Sequence, residues 1–545
     1  MSDNKNILQG RPVERVLDVS LGELLLMVMR IHEDNVILVD AVSDEELRAR
    51  QLLARGIHLA KWFQSLNISI GDSVSITCEN RLEFGIVPIG AFLLGVTLAP
   101  LNPDYTVAEL KHCLGLSKPK IVFCSDKTID KVISILPEHE YIQKLVLFGG
   151  RRHSHPSVVS FNDIVAGVND IDETFKAVPI DTKETVATIL CSSGTTGLPK
   201  GVMCTHDNMT TYIDVGRMIM AHLVENDDPS DAIIGLTPFF HSFGFMLMFL
   251  NIIRGKKMAV IGKFKLKVFL DTIVKYKVRR VIVPPPVLLI MLKHPLTNKY
   301  DLSCIKEIRC GAAALGKEME KELKQRFKVK SVSQAYGMTE TTLGVLTTEE
   351  GTEPVLGSVG KVVPGMMAKV INEEGQALGP YQEGELCFKG PLIMKGYVGN
   401  PEATAETIDK DHWLHTGDVA YYDKEGNFFI VDRIKELIKY KAFQVAPAEL
   451  EALLLTHPAI QDCAVIGLPD DEAGELPLAY VVKKPGQQIT EEEVKKHVAD
   501  TLSHQKHLRG GVIFTEEILR NPTGKILRRI LREKAKNLVK LKSKL

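Results

Sequence analysis

The run Ser192-Ser193-Gly194-Thr195-Thr196-Gly197-Leu198-Pro199-Lys200-Gly201 packs hydroxyls, glycines and one lysine into ten residues. Glycines let backbone N–H groups turn toward an anion, and the hydroxyls with Lys200 add donors and positive charge, so the chemistry it suits is polyphosphate binding. A Walker A loop ends in Gly-Lys-Ser/Thr, whereas Gly201 follows Lys200 here, which disfavours a kinase or P-loop ATPase of that type. Further along stand Gly311-Ala312-Ala313-Ala314-Leu315, Gln334-Ala335-Tyr336-Gly337-Met338-Thr339-Glu340-Thr341, Trp413-Leu414-His415-Thr416-Gly417-Asp418 and Asn521-Pro522-Thr523-Gly524-Lys525. Carboxylates, hydroxyls and a late lysine are the donor types that anion and cation handling would require.

Those fragments need a scaffold. The apolar run Val186-Ala187-Thr188-Ile189-Leu190 predicts a buried strand feeding the first loop. From about residue 52 to 260, short apolar strands such as 73–78, 121–124 and 145–148 alternate with helical patterns, which predicts parallel sheets covered by helices on both faces. Residues 257–261, a helix to Tyr276 and residues 280–283, closed by Pro284-Pro285-Pro286, repeat that unit. After about Gly357 the texture shifts to short strands and turns, predicting a β-rich subdomain. Asp432-Arg433-Ile434-Lys435 follows an apolar strand at 427–431 and precedes a new pattern: helices near 447–456 and 491–502, strands at 462–466 and 479–482, and a basic helix over 526–541. The expected fold is α/β. A large N-terminal domain (1–431) of mixed sheets with flanking helices carries the β-rich subdomain, and a hinge (432–435) leads to a small mobile α+β C-terminal domain (436–545).

Composition narrows the class. At roughly 100–200 residues per domain, 545 residues allow three or four compact units. A 45% hydrophobic, 25% charged chain of net charge -1 has the make-up of an ordinary globular protein, and nothing in it points to a nucleic-acid partner. Nine cysteines without a Cys-x-x-Cys pair argue against a zinc site or disulfide framework and fit a reducing compartment. The start of the chain lacks the apolar core of a secretory signal. The most apolar window, 236–253, is interrupted by Pro238, His241, Ser242 and Asn251, so a buried strand and helix are expected there rather than a membrane span. The terminal Ser543-Lys544-Leu545 is the address a peroxisomal import receptor reads.

In their order, the fragments resemble the adenylate-forming superfamily of acyl-CoA synthetases, adenylation domains and beetle luciferases, over nearly the whole chain. Pro238-Phe239-Phe240-His241-Ser242-Phe243-Gly244 and Ile438-Lys439-Tyr440-Lys441 are most similar to the branch of 4-coumarate-CoA ligases, insect luciferase-like fatty acyl-CoA synthetases and luciferases. The resemblance implies ATP, Mg²⁺ and coenzyme A as cofactor and co-substrates. It implies that Ser192, Ser193, Gly194, Thr195, Thr196, Gly197 and Lys200 hold the β and γ phosphates, that Thr339 contacts the α-phosphate, and that Glu340 binds Mg²⁺. Gly311, Ala312 and Ala313 would lie along the adenine with Tyr336 stacked on it, and Gln334 and Gly337 would also belong to the ATP site. Asp418, helped by Arg433, would accept from the ribose hydroxyls.

A histidine in an aromatic run is ordinarily core. By the resemblance, His241 borders the carboxylate end of an acyl pocket walled by Phe243, Gly337, Met338 and Leu343. Lys525 would serve acid activation; Lys439, with Lys441 and Ala442 beside it, would serve the thioester step. Leu343 stands where light-emitting beetle enzymes resemble one another in having serine, and an added alkyl side chain there favours an aliphatic acid. Ala442 replaces the usual glycine, at a penalty of roughly 1–2 kcal/mol if its φ is positive, and Ala314 replaces a proline. The expected activity is an AMP-forming ligase of the peroxisome joining a medium- or long-chain fatty acid to CoA. A luciferase-type monooxygenase, an aryl (4-coumarate-like) ligase and a nucleotide-binding pseudoenzyme are the alternatives.

Overall fold

Long apolar strands buried on both faces pair in parallel, and the first half of the chain follows that rule. The computed structural model describes residues 3–16, 18–192, 198–219, 231–349, 351–441, 443–470 and 472–542. Among these, the largest sheet has the spatial order Gly396–Tyr397, Lys200–Thr205, Val186–Ser192, Thr97–Leu101, Ser73–Thr77, Ile121–Cys124, Lys144–Leu147, Val158–Ser160. Its members from Val186–Ser192 onward are parallel. Lys200–Thr205 pairs antiparallel with Val186–Ser192, Lys200 opposite Ser192, so the two ends of the glycine-rich run are neighbours in the sheet. Helices Ala49–Ser65 and Ile86–Leu93 pack the central core, where Phe63, Phe92, Phe123 and Phe245 are wholly buried.

Two further sheets complete the α/β part. Ala232–Gly235, Lys257–Val260 and Val36–Asp40 run parallel, with Glu46–Arg48 antiparallel at the edge. Arg280–Ile282, Glu307–Cys310 and Ser331–Gly337 run parallel, then continue antiparallel through Gly344–Thr347 and Lys361–Val362. Of the apolar window 236–253, the helix Ser242–Ile253 forms as expected, but the strand does not: Ala232–Gly235 ends just before the window, whose first residues turn at Pro238. No helix among the described residues is long and apolar enough to cross a membrane.

The β-rich part is an antiparallel sheet of Met367–Ile371, Gly384–Lys389, Leu414–Tyr422 and Phe428–Arg433, joined at one edge by Leu8–Gln9 from the start of the chain. The strand expected to stop at Val431 runs on through Arg433, because Asp418 pairs with Arg433 and Val419 with Asp432. Two residues of the expected hinge are therefore strand, and the turn falls at Ile434–Leu437. The C-terminal part is a second α+β unit around Ile460–Asp470 and Gly474–Lys483, flanked by Pro447–Leu454, Glu491–Ala499 and Arg528–Lys542. Its last helix starts at Arg528 rather than Ile526, since Ile526 is held in a β-bridge to Arg520. All nine cysteines are free.

Candidate functional site

Asn521 builds the turn that carries Lys525. Its Oδ1 accepts from the Thr523 amide (3.0 Å), the Thr523 hydroxyl (2.8 Å) and the Lys525 amide (2.9 Å). Gly524 takes φ 88°, and a Cβ there would lie 3.0 Å from Pro286 Cγ, so the turn sits close against the proline run of the large domain. Arg520 anchors it by donating to Asp462 (2.8 Å) and to the Gly524 carbonyl (3.1 Å), and Arg528 binds Glu451 with both carboxylate oxygens (2.7 and 2.8 Å). The Lys525 side chain enters a cleft of about 1790 Å³ lined by both domains, among them His241, Ala312, Tyr336, Asp418 and Arg433. Burial and the Arg433 charge push its ammonium down to about 8, against the pull of Asp418 and Glu340.

Asp418 lies on the opposite wall. The Tyr336 hydroxyl donates to its Oδ2 (2.5 Å) and Arg433 Nε pairs with its Oδ1 (3.2 Å). Burial raises the Asp418 carboxyl, an effect Arg433 opposes. The preceding turn is held from below: Gly417 (φ 69°) donates to Glu385 Oε1 (3.0 Å) and Thr416 Oγ1 to the Leu386 carbonyl (2.7 Å). Glu385, Cys387 and His415 gather here as a metal-type trio, but both ring nitrogens of His415 already face carboxylates, Glu385 at 2.9 Å and Asp409 at 3.5 Å. The trio braces the turn.

Across the cleft, Gln334 grips Leu315 through its amide (2.9 Å) and carbonyl (3.2 Å), fixing the strip 311–315. Ala312 is held at φ 70°, a left-handed conformation that costs a side-chain-bearing residue about 1–3 kcal/mol and marks a constrained spot.

Thr339 and Glu340 sit behind this wall on a single 3-10 turn, Thr339–Thr341, and both are buried. Gly337 permits the approach to that turn: a Cβ at 337 would lie 1.7 Å from the Leu343 carbonyl oxygen. Thr341 Oγ1 ties the loop to the carbonyls of Met338 (3.0 Å) and Leu343 (2.8 Å). Thr339 Oγ1 lies 3.4 Å from Ser242 Oγ. Glu340 Oε1 accepts from Tyr397 Oη (3.0 Å), and Lys200 Nζ stands 4.7 Å above the Tyr397 ring. His241 precedes the helix Ser242–Ile253; its Nδ1 accepts from the Phe243 amide (3.4 Å), which leaves Nε2 the protonated nitrogen. Burial and the Lys525 charge push its imidazolium down to about 3, so the ring is neutral at ordinary pH.

The structure thus gathers His241, Ala312, Ala313, Gln334, Tyr336, Gly337, Met338, Asp418, Arg433 and Lys525 on one cleft, with Gly311, Thr339, Glu340 and Lys200 close behind. Phe243 is half-buried beside His241, and Leu343 packs against the central apolar cluster. Lys439 and Lys441 are elsewhere. Both are exposed, the Lys439 amide donating to Glu475 (2.9 Å) and the Lys441 ammonium lying over Tyr440 at φ 53°. Ser193–Gly197, Ala442 and Ser543–Leu545 lie outside the described residues. Sequence reasoning missed Tyr397 and the Arg528–Glu451 pair; neither carries a motif, and only Gly396 before Tyr397 hints at a packed position.

The profile of the AMP-binding enzyme family matches residues 28–398, and that of the AMP-binding enzyme C-terminal domain matches 449–525. The chain is 42% identical over 540 residues to luciferin 4-monooxygenase of Nipponoluciola cruciata, covering 98% of each chain. It is 37% identical to the probable 4-coumarate–CoA ligase 3 of Dictyostelium discoideum, over 94% of this chain and 95% of that one. ATP-bound MatB from Rhodopseudomonas palustris superposes with a TM-score of 0.84 at 26% identity, covering 95% of this chain and all of the other. A two-part architecture with the cleft between its parts, matched to both family profiles, places this chain in the AMP-binding enzyme family, the adenylate-forming superfamily of acyl- and aryl-CoA ligases.

Proposed function

We propose that the protein is an acyl-CoA ligase that converts a carboxylic acid and ATP to an acyl-adenylate and pyrophosphate, then transfers the acyl group to the thiol of CoA. The observation that carries this reading is the Lys525 ammonium inserted into the cleft opposite Asp418 and Arg433. A carboxylate attacking the α-phosphate brings like charges together, and a preorganised cation at that point lowers the barrier. Asp418 accepts from the ribose hydroxyls, the strip 311–313 receives the adenine, and Lys200 faces the phosphates. Neutral His241 offers Nε2–H to the acid carboxylate without adding charge. Glu340 supplies the hard oxygen donor that suits Mg²⁺, which when bound neutralises phosphate charge.

The acid is a medium- or long-chain fatty acid. Leu343 packs with the apolar cluster containing Phe239, Phe245 and Phe249 and presents no hydroxyl, which supports an alkyl chain. Kinship to luciferin 4-monooxygenases supports a second reading, in which the same adenylate is oxidised by O₂ with emission of light. The terminal Ser543-Lys544-Leu545 supports action in the peroxisome. Incubating the protein with MgATP, CoA and a panel of fatty, aryl and luciferin-type acids, while following AMP, thioester and photons, tests the reaction and the choice of acid. Thioester and AMP from C8–C18 acids without light is the expected result; light without thioester would overturn it.

A further inference from the structure

The segment that follows the β-rich strand Gly384–Lys389 returns to the strand Lys200–Thr205 and touches both Lys200 and, on the turn Thr339–Thr341, Glu340. Val398 donates to the Gly201 carbonyl (2.8 Å) and Lys395 to that of Met203 (2.9 Å), so Gly396–Tyr397 adds a strand beside Lys200–Thr205. Met394 donates its amide to the Glu340 carbonyl (2.9 Å). From this brace Tyr397, 7% exposed, reaches Glu340 Oε1 with its hydroxyl and offers its ring face to Lys200. A buried carboxylate and a nearby ammonium would normally pair, yet among the described residues Lys200 and Glu340 make no direct ion pair. Tyr397 satisfies each of them separately. A phenol that donates to a carboxylate also becomes richer in electron density, which strengthens the face that holds the cation.

We infer that Tyr397 is a positioning residue that keeps Lys200 and Glu340 from neutralising one another, leaving the ammonium free for phosphate and one Glu340 oxygen free for a divalent cation. This rests on the proposed role of Glu340 as the cation's carboxylate. With the hydroxyl removed, Glu340 loses its donor and is free to pair with Lys200, a partnership that competes with both ligands.

The test is Mn²⁺ binding, followed by electron paramagnetic resonance in the presence of a non-hydrolysable ATP analogue, on the full chain and on Y397F, E340Q and the double variant. Phenylalanine keeps the ring in its pocket with Val202, Met394 and Ala403, so the fold is retained. Y397F is expected to weaken Mn²⁺ about tenfold, the loss typical of one hydrogen bond to a charged group, and to add nothing in the E340Q background. Tyr397→Leu, which also removes the ring face, should weaken the analogue further. Binding within twofold of the parent in Y397F, or a double variant whose loss is the product of the two single ones, overturns the inference alone. E340Q that binds Mn²⁺ as the parent does would instead remove the reading of Glu340, and this inference with it.

Discussion

Lys525 carries the sharpest residue-scale expectation. Its ammonium, pushed down to about 8, is charged below that pH and neutral above it. The kcat/KM for acid-dependent pyrophosphate exchange should therefore fall as pH rises through about 8, a profile that reports groups of the free enzyme. Lys525→Arg, whose guanidinium stays charged throughout, should lose that alkaline limb even where its rate is lower; an unchanged limb would separate it from Lys525. His241, already neutral, should contribute no limb between pH 5 and 8. Leu343 frames a second expectation: with a beetle-type luciferin the protein should emit negligible light, and Leu343→Ser should emit more, as read by photon counting. Lys200, Glu340, Asp418 and Lys525 were legible because they stand among glycines and hydroxyls in runs that suit charge handling, whereas the apolar strip 311–313 and His241 were marked only by the family resemblance. Tyr397 was marked by neither, since its partner Glu340 is 57 positions away and no spacing rule links them.

Among the elements, the hairpin of Ser331–Gly337 and Gly344–Thr347 matters most, because it places Thr339 and Glu340. Gly337→Ala puts a Cβ 1.7 Å from the Leu343 carbonyl oxygen, so the hairpin must open. Pyrophosphate exchange should drop at least tenfold and the first thermal transition should fall by several degrees, since forced overpacking costs about 1–3 kcal/mol. Gly150→Ala, whose new Cβ would meet nothing closer than Asn162 Nδ2 at 4.0 Å, is the control expected to change neither. Parallel strands such as Ile121–Cys124 and Lys144–Leu147 were readable as apolar runs, whereas Glu307–Cys310 and Ser331–Gly337 carry polar residues and were not. The end of the strand Phe428–Arg433 was not, because its last two residues are charged and are kept in the sheet by pairing with Asp418 and Val419. Leu8–Gln9 is only two residues long and has no period to read.

For the whole molecule, Lys525 faces the cleft while Lys439, on the same small domain, is exposed and outside it. Rotation of that domain is the simplest way for one cleft to use both lysines in turn. Lys525→Ala should slow adenylate formation roughly 10²-fold yet still convert supplied acyl-adenylate and CoA to thioester. Lys439→Ala should show the reverse bias. Single-turnover measurements of each half decide it, and equal loss of both halves in both variants would contradict alternation. The two-part architecture was visible in the new pattern of helices and strands that begins after 432–435; which lysine occupies the cleft was not, because that depends on how the two parts dock.

The strand Leu8–Gln9 also bears on how the chain is made. Leu8 pairs with Ala368, so the two lie 360 residues apart in sequence. At a synthesis rate of about 5–20 residues per second, the opening segment emerges roughly 20–70 s before its partner exists. During that interval its unpaired backbone edge must remain hydrated or in the keeping of a chaperone, and the antiparallel sheet can close only after the parallel core beside it has been translated.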